Sequence, residues 1–301
     1  MKLATFSHQG TTSIGLILGD QILDLPAAQP GTPRDMIEFL SGGEAALRAA
    51  ASAPHTPAHL YPRVAVQLLA PILRPRKYLA IGFNFQSHVE EIRTVPAMKD
   101  FRPPPVPVFF NKQVSCIQSP YGPIELPYVS KQLDYEVEMV VVIGMRCRHV
   151  SQERALDAIA GYCVGNDVSV RDWQLASQTM TMGKSFDTHG PIGPWITTKD
   201  EITAGRSLAM TTWVNGEVRQ QGHSGEMLHS IGRQIEYLST AFTLEVGDLI
   251  ATGTPAGVGV LMQPQRFLQA GDVVRCEIEQ LGHIENTVRA EDRQDKPATT
   301  K

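Results

Sequence analysis

One segment, residues 133–143, limits what this 301-residue chain can fold into. Its second half, residues 139–143, reads Met-Val-Val-Val-Ile. A run that is apolar on both faces is typical of a strand deep inside a sheet. We therefore predict a buried strand over Tyr135–Ile143. Two acids, Glu136 and Glu138, lie at its start, and they point to the same face because strand side chains alternate.

Short apolar segments separated by turn signals continue on both sides of that strand. Three apolar clusters in the first 30 residues predict a strand meander, and Thr32 followed by Pro33 predicts a helix start with Thr32 as its cap. Asn215–Gly216, between two alternating segments, predicts a β-hairpin. Residues 94–107 contain five prolines, which exclude a helix or a central strand and are typical of a lid or binding loop. Strands outnumber helices, so the predicted fold class is a strand-dominated α+β core.

The composition of residues 52–62 is that of a linker, which places a domain boundary near residue 70. We therefore predict a small N-terminal α+β domain over residues 1–70, a larger catalytic domain over residues 71–290 and a polar C-terminal tail over residues 291–301. A chain of this length is long enough for one large domain or two smaller ones, so the division fits.

Charge and composition exclude several classes of partner. The 27 lysines and arginines are outnumbered by 31 aspartates and glutamates, and the resulting net charge of -4 argues against a nucleic-acid binder. No apolar run approaches the roughly 20 residues that cross a bilayer. The four cysteines form neither a CxxC pair nor a disulfide framework. We therefore expect no nucleic-acid or membrane partner, and a cytoplasmic protein with free thiols.

A third acid, Asp167, follows another apolar strand and joins Glu136 and Glu138 as a candidate ligand. Two alternatives are that the glutamate pair faces water at a polar edge and that Asp167 is a turn residue. Taken together, three carboxylates suit a hard cation such as Mg²⁺ or Mn²⁺, with the other positions left to water or substrate. With a divalent ion their summed charge is about -1, so the site still accepts an anionic chelating ligand.

His88 and Glu91 are three residues apart, so on one helical turn they share a face. A carboxylate beside an imidazole fixes the tautomer of the ring and raises its basicity, which suits a general base for water. The alternative is an ordinary pair of surface side chains. The two residue types and their spacing do not decide between these interpretations.

Seven segments, in chain order, make the sequence resemble the fumarylacetoacetate hydrolase (FAH) family, and within it the 2-hydroxyhepta-2,4-diene-1,7-dioate isomerases and acylpyruvases. The matching segments are AIGFNFQSHVEE (80–91), FFNK (109–112), LDYEVEMVVVIG (133–144), GNDVSVRDWQ (165–174), GKSFDTHGPIGPW (183–195), GDLIATGTPAGVG (247–259) and GDVVRCEIEQLGHIENTV (271–288). Seven ordered matches are far more specific than any single motif. The resemblance implies a mixed β-sheet roll with a small N-terminal domain before it, and a homodimer.

The resemblance also implies a role for individual side chains. It makes the three acids ligands of Mg²⁺ or Mn²⁺, and it makes His88 and Glu91 the pair that activates an attacking water. It places Lys184 and Gln174 where their donors stabilise a developing oxyanion. The implied substrate-binding residues are Arg171, Thr254 and Lys112.

Two of these roles have alternatives in the sequence itself. Arg171 has acidic neighbours in Asp172 and Asp187, and an ion pair with either of them is the other interpretation. Lys112 follows two phenylalanines on a predicted strand, from which it reaches either the pocket or the surface.

Together these roles predict a divalent-metal-dependent hydrolase that cleaves a carbon–carbon bond in a 2,4-dioxo acid, such as an acylpyruvate or fumarylpyruvate. The alternatives on the same site are a decarboxylase of the oxaloacetate type and an isomerase or hydratase of 2-oxo dicarboxylates from aromatic degradation. A catalytically silent binding protein on the same fold is a further alternative. In the predicted lid, Arg93, Lys99 and Arg102 either meet a second carboxylate or are solvated loop charges.

Overall fold

The computed structural model describes residues 1–202 and 207–292, and these form nineteen strands and six α-helices. The strands are β1 (Lys2–His8), β2 (Thr11–Leu18), β3 (Gln21–Asp24), β4 (Leu60–Pro62), β5 (Gln67–Leu68), β6 (Tyr78–Gly82), β7 (Val108–Lys112), β8 (Ile117–Gln118), β9 (Ile124–Leu126), β10 (Leu133–Asp134), β11 (Val137–Ile143), β12 (Ile159–Asn166), β13 (Ser169–Val170), β14 (Gly190–Thr198), β15 (Ala209–Val214), β16 (Glu217–His223), β17 (Leu249–Ala251), β18 (Val273–Ile278) and β19 (Gly282–Ala290). The helices are α1 (Leu25–Ala28), α2 (Met36–Ser41), α3 (Gly43–Ala51), α4 (Gln86–Ile92), α5 (Arg171–Leu175) and α6 (Ile231–Ala241). The predicted strand-dominated α+β class is confirmed. No helix within these two ranges is long and apolar enough to cross a membrane.

Twelve of the strands form one large mixed sheet. Ten of them follow the order β4-β3-β2-β1-β14-β12-β11-β17-β6-β7, while β5 pairs with β1 and β8 pairs with β14. A second sheet has the order β16-β15-β18-β19-β9, and the short strands β10 and β13 pair with each other. Most neighbours are antiparallel, but three pairs run parallel: β17 with β6, β19 with β9 and β14 with β8. The sheets are therefore mixed, as the resemblance implied.

Strand β11 lies inside the large sheet between β12 and β17, and all seven of its residues are buried. Val140 and Val142 pack into a core shared with the N-terminal strands and helices. Val141 and Ile143 point to the other face and pack in a core with Ile235 of α6. The predicted burial of this strand on both faces is therefore confirmed.

The strand begins later than the predicted Tyr135, at Val137. The backbone amide of Glu136 donates to the side-chain oxygen of Asn166 at 3.0 Å rather than to a neighbouring strand. Because that side chain replaces a ladder partner, Glu136 lies in a short irregular segment between β10 and β11.

The first 24 residues form the predicted meander, and β1 also pairs with β14 of the large sheet. The N-terminal strands thus extend that sheet, and the domain boundary near residue 70 stays a prediction. The helix start expected at Thr32 is wrong, because α2 begins at Met36. Its cap is Asp35, whose carboxylate accepts the amides of Ile37 and Glu38.

The predicted hairpin is confirmed, since β15 and β16 are joined by Asn215–Gly216, and both turn residues have positive φ. Residues 94–107 contain no strand, as expected, but they include a short 3-10 turn over Pro96–Met98, where proline occupies the first position and needs no amide donor. The predicted tail over residues 291–301 lies outside the described ranges apart from its first two residues.

His189 is a fully buried imidazole directly before β14. Its Nε2 donates to the carbonyl oxygen of Glu125 at 2.8 Å, and its Nδ1 has no partner among the described residues. Burial lowers the pKa of His189 from 6.5 to about 4. Between those two values the unfolded chain binds more protons, so stability falls as the pH drops from 6.5 toward 4.

We expect His189→Gln, which keeps a donor for the Glu125 carbonyl, to weaken this pH dependence. Between pH 7 and pH 5 the unmodified protein should lose about 2 kcal/mol more unfolding free energy than the variant. Urea denaturation of both proteins at the two pH values measures the difference. Equal losses would show that another group is responsible.

Candidate active site

Three acids meet where strands β11 and β12 come together. Carboxylate oxygens of Glu136, Glu138 and Asp167 all lie within 4.8 Å of one another, and all three residues are buried. The ladder pairs Val137 with Asn166, and the amide of Asp167 donates to the carbonyl oxygen of Glu136 at 2.9 Å. The strand register therefore brings together the three residues that the sequence predicted as metal ligands.

Two buried lysines offset part of this negative charge. Lys184 Nζ lies 2.8 Å from Glu136 Oε2 and 2.8 Å from Asp167 Oδ2. Lys112, at the end of β7, places Nζ 2.6 Å from Asp167 Oδ1 and also donates to the backbone carbonyl of Lys184. Lys112 is thus neither at the surface nor exposed to a ligand: it supports Asp167 and Lys184 from behind.

Arg171, at the start of α5, is the third buried cation. Its Nε donates to Asp134 Oδ2 at 2.9 Å, and its Nη1 donates to Glu136 Oε1 at 2.6 Å. These acids, rather than Asp172 or Asp187, are therefore its partners. Its Nη2 is buried and has no partner within residues 1–202 and 207–292, which leaves one fixed donor for an anionic ligand.

The two glutamates of the cluster titrate in opposite directions. Burial alone raises the pKa of Glu136, but Lys184 and Arg171 outweigh burial and lower it to about 2. Burial, together with the neighbouring charges of Asp167 and Glu136, raises the pKa of Glu138 well above its usual 4.5. The cluster is therefore short of positive charge at Glu138.

The loop over residues 253–259 holds the carboxylates with its backbone. Three of its amides donate to carboxylate oxygens: Gly253 to Glu138 at 2.8 Å, Gly257 to Glu91 at 2.9 Å and Gly259 to Asp134 at 2.8 Å. Gly253 and Gly257 have φ of +99° and +105°, a region that favours glycine. A Cβ at Gly257 would also lie 2.0 Å from the carbonyl oxygen of Arg219. These glycines are therefore required by the path of the loop.

His88 and Glu91 lie one turn apart on α4, with His88 Nδ1 3.2 Å from Glu91 Oε2. The second oxygen of Glu91 accepts the Gly257 amide. A carboxylate beside Nδ1 holds the proton of a neutral imidazole on that nitrogen. Nε2 then becomes the basic atom, and it makes no hydrogen bond to any described residue.

These groups surround one cavity of about 50 Å³. Its polar lining residues are Asn84, His88, Glu136, Glu138, Arg171, Gln174, Lys184 and Thr254. Its other walls are formed by Ile81, Gly82, Phe83, Phe110 and Met180. Since one water needs roughly 10–15 Å³ of such space, the cavity holds a few waters or one small ligand.

Sequence reasoning missed two residues that organise this site. Asp134 accepts from Arg171 and from three backbone amides. Gln220, on β16, accepts the amide of Val137 at 3.0 Å and donates to Thr254 Oγ1 at 2.8 Å. Asp134 lies two residues before Glu136 and was visible as a third acid in that segment. Gln220 lies in a hairpin strand, and nothing in the sequence pattern of that strand indicates a residue of the site.

The residues present fit a divalent cation. Four buried carboxylates face three buried cations, so one negative charge is unbalanced when all of them are ionised; the acids are Asp134, Glu136, Glu138 and Asp167, and the cations are Lys112, Arg171 and Lys184. The shared space between three of the acids offers only oxygen ligands, which are those that Mg²⁺ and Mn²⁺ prefer.

The sequence profile described as fumarylacetoacetate (FAA) hydrolase C-terminal matches residues 77–289. This chain belongs to that family. The predicted family is thus confirmed, and with it an enzyme whose acidic triad is suited to a divalent metal.

Individual family members resemble this protein over nearly its whole length. An oxaloacetate tautomerase of Xenopus laevis, named as mitochondrial, is 42% identical over 294 residues, which cover 96% of this chain and 90% of the relative. The fumarylacetoacetate hydrolase structure from Exiguobacterium antarcticum is 36% identical with a TM-score of 0.81, and covers 97% of this chain and 100% of that one. The maleylpyruvate hydrolase from Sphingobium sp. SYK-6, solved with manganese(II) and pyruvate, is 30% identical with a TM-score of 0.77 and the same coverage.

We expect Glu138→Gln to remove tight Mg²⁺ and Mn²⁺ binding, because it deletes one carboxylate ligand and keeps an oxygen for the Gly253 amide. Without metal, the same change should stabilise the fold, increasingly so as the pH rises above about 4.5. The sign follows because the raised pKa of Glu138 means that the folded state holds a proton that the unfolded chain has released. As the pH rises, the folded unmodified protein must give up that proton and loses stability, whereas glutamine has no proton to lose.

Thermal denaturation at pH 6 and pH 8, with and without Mg²⁺, measures both effects. Glu44→Gln on the exposed part of α3 is the matched control, and it should keep the full Mg²⁺-induced rise in Tm. A Glu138→Gln variant that keeps the same rise would exclude Glu138 as a ligand.

We expect Gly257→Ala to cost both stability and activity, since the added methyl meets the Arg219 carbonyl and the Glu91 contact depends on this loop. Gly216→Ala is the control, because Gly216 also has a positive φ but has no atom within 4 Å of its would-be Cβ. Gly216→Ala should lower the free energy of unfolding by only about 1 kcal/mol, because alanine disfavours a positive φ. Gly257→Ala should lower it clearly more. Urea denaturation and turnover measure the two losses, and equal effects would contradict the steric argument.

Proposed function

We propose that this protein is a divalent-metal-dependent tautomerase that interconverts the keto and enol forms of a small 2-oxo dicarboxylate such as oxaloacetate. The observation that carries the proposal is the composition of one cavity. His88 lines the same small space as Glu136, Glu138 and Arg171. Asp167 lies beside the two glutamates, and Nη2 of Arg171 has no partner among the described residues. That space suits one small acid and one proton transfer.

The reaction needs little besides a proton carrier. Tautomerisation moves one proton between C3 and the 2-oxo oxygen, and no bond between heavy atoms breaks. From keto to enol, His88 Nε2 takes the proton from C3 and delivers it to the 2-oxo oxygen, and in the reverse direction it returns the proton to C3. Glu91 keeps the ring in the required tautomer. The Lys184 ammonium donates toward the oxygen end of the ligand with the N–H that Glu136 and Asp167 leave free.

The remaining polar groups bind and orient the acid. A divalent ion held by Glu136, Glu138 and Asp167 would supply a Lewis acid that polarises the 2-oxo group. Arg171 Nη2 donates to a ligand carboxylate, and Thr254 lies on the same cavity wall. The apolar walls, Phe110 among them, exclude water and so strengthen each of these contacts.

The relatives support the same substrate class. The Xenopus laevis protein, aligned over nearly the whole of both chains, is an oxaloacetate tautomerase. The Sphingobium structure contains manganese(II) together with pyruvate, which is itself a 2-oxo acid. Both favour a 2-oxo acid beside a divalent metal in this chain.

Hydrolysis of a 2,4-dioxo acid, the reaction predicted first from the sequence, is the second candidate. The His88–Glu91 pair favours it, because the same basic nitrogen also activates a water. The cavity of about 50 Å³ favours the tautomerase, since a dioxo acid and an attacking water need more room. Decarboxylation of oxaloacetate uses the same groups and leaves pyruvate as product.

One assay separates the three reactions. The purified protein with Mg²⁺ is given the enol form of oxaloacetate and, in a parallel reaction, an acylpyruvate. The loss of enol absorbance and the release of pyruvate are followed together, with EDTA as the control. Loss of enol without pyruvate is the expected result. Pyruvate from oxaloacetate indicates a decarboxylase, and pyruvate released only from acylpyruvates indicates the hydrolase.

We expect His88→Gln to lower kcat about 10²- to 10⁴-fold, because the variant has no group to carry the proton. Mg²⁺ affinity, measured by calorimetry, should stay at its original value since His88 is not a ligand. His55→Asn, at an exposed position, is the matched control and should leave kcat unchanged. A His88→Gln enzyme with full activity would remove His88 from the mechanism.

We further propose a homodimer in the cytoplasm. Exposed apolar side chains on and beside α5, such as Trp173, Leu175 and Met182, support association with a second copy. The four buried free cysteines fit a reducing compartment, whereas the Xenopus laevis relative is named as mitochondrial. Sedimentation velocity tests the dimer, and fractionation of the source cells tests the compartment.

A further inference from the structure

A single buried amide, the side chain of Gln220 on β16, joins several parts of the active site. Its Oε1 accepts the backbone amide of Val137 at 3.0 Å and the hydroxyl of Thr212 at 2.9 Å. Its Nε2 donates to Thr254 Oγ1 at 2.8 Å and to the carbonyl oxygen of Pro255 at 2.9 Å. Gln220 is only 1% exposed, and all four hydrogen-bonding positions of its amide are therefore used inside the protein.

The partners of Gln220 allow its amide only one orientation. A backbone N–H, such as that of Val137, can only donate, and a backbone carbonyl, such as that of Pro255, can only accept. The amide oxygen must therefore face Val137, and the amide nitrogen must face Pro255 and Thr254. Turning the amide over would bring two donors together at Val137 and two acceptors together at Pro255.

This orientation decides the role of the Thr254 hydroxyl. A hydroxyl has one proton and two lone pairs, and because one lone pair accepts from Gln220, the proton must point elsewhere. No acceptor for that proton occurs in residues 1–202 and 207–292, and Thr254 lines the inner cavity. Thr252, two residues earlier, differs because it donates its proton to the Met139 carbonyl at 2.8 Å. Thr254 therefore keeps a free proton at the cavity wall.

We propose that Gln220 is a positioning residue that makes Thr254 a hydrogen-bond donor to an oxygen of the bound 2-oxo acid. The proposal rests on the proposed function, because it places that acid in the inner cavity. Gln220 does not line the cavity, so it acts on the ligand through Thr254. An ionised carboxylate offers only acceptors, and a donor that is oriented in advance needs no rearrangement when the ligand arrives.

Gln220 also holds the loop over residues 253–259, since it donates to the Pro255 carbonyl. Two backbone amides of that loop donate to the carboxylates of Glu138 and Glu91. A change at Gln220 therefore disturbs the loop as well as the Thr254 hydroxyl, and the experiment has to separate the two effects.

The test is a double-mutant cycle on ligand affinity. The Mg²⁺-loaded unmodified protein, Gln220→Glu, Thr254→Val and the double variant are titrated calorimetrically with pyruvate, which carries the 2-oxo acid unit. Gln220→Glu has at most one proton where the amide has two. The Pro255 carbonyl can only accept and takes that proton, so Thr254 turns its own proton toward the new carboxyl group and away from the cavity.

We expect Thr254→Val to weaken pyruvate binding about tenfold, because it removes one hydrogen bond to a charged ligand. Gln220→Glu should weaken binding at least as much. In the Thr254→Val background the same Gln220→Glu change should cost about tenfold less, because no hydroxyl is left to turn. Thr254→Ser keeps the hydroxyl and should bind pyruvate within about twofold of the unmodified protein.

Thr212→Val is the matched control. It removes one hydrogen bond to Gln220 but leaves the amide oriented by Val137 and Pro255, so Tm should fall while pyruvate affinity stays the same. If Gln220→Glu does not fold, Gln220→Met repeats the cycle without a buried acid. The loss should again be smaller in the Thr254→Val background, because the hydroxyl is the group that the amide orients.

Two results would overturn the proposal. Equal losses from the Gln220 change with and without the Thr254 hydroxyl would show that Gln220 acts through the loop alone. Unchanged pyruvate affinity in Thr254→Val would show that this hydroxyl does not donate to the ligand. If the unmodified Mg²⁺-loaded protein does not bind pyruvate, the proposed function itself fails and this inference fails with it.

Discussion

An excess of buried negative charge is the constraint on which the rest of this structure depends. Removing a carboxylate from water is costly unless it is paired or bound to a metal, and this fold buries several within a few ångströms. Lys112, Lys184 and Arg171 are buried only because those acids are there. Glu138, which has no cation of its own, is left as the group that a divalent ion must satisfy. A divalent ion would therefore neutralise the negative charge that the three buried cations leave unbalanced.

The sheets hold these charged side chains in fixed positions. Strand β11 is buried on both faces and is fixed between β12 and β17, so the acids at its start cannot relax toward solvent. The second sheet contributes Gln220, which ties the amide of Val137 to Thr254. Each side chain of the site is therefore oriented by a contact from a different part of the sequence, and the small cavity is what remains between them.

The local sequence predicted most of the elements and the acidic triad, because alternation along β11 and the position of Asp167 after β12 are short-range features. It failed where the outcome depends on a distant partner. The strand starts at Val137 since Asn166 captures the amide of Glu136, and Lys112 turns inward because Asp167 lies across the sheet. No pattern within a few residues of Lys112 contains that information. Thr32 failed for the opposite reason, since a nearer acid, Asp35, was the better cap.

The glycine loop has a consequence for how this site can vary. Its backbone amides donate hydrogen bonds to the carboxylates of Glu138, Glu91 and Asp134. Because an amide is a neutral dipole, the loop fixes the position of these acids without adding positive charge. If lysine side chains made these contacts instead, they would neutralise the acids, and no unbalanced charge would remain for a metal ion. The arrangement separates holding an anion in place from neutralising it, and it assigns the two tasks to backbone and side chain. Descendants of this fold can therefore exchange their charged residues to suit a new substrate while the loop continues to position whichever acids remain.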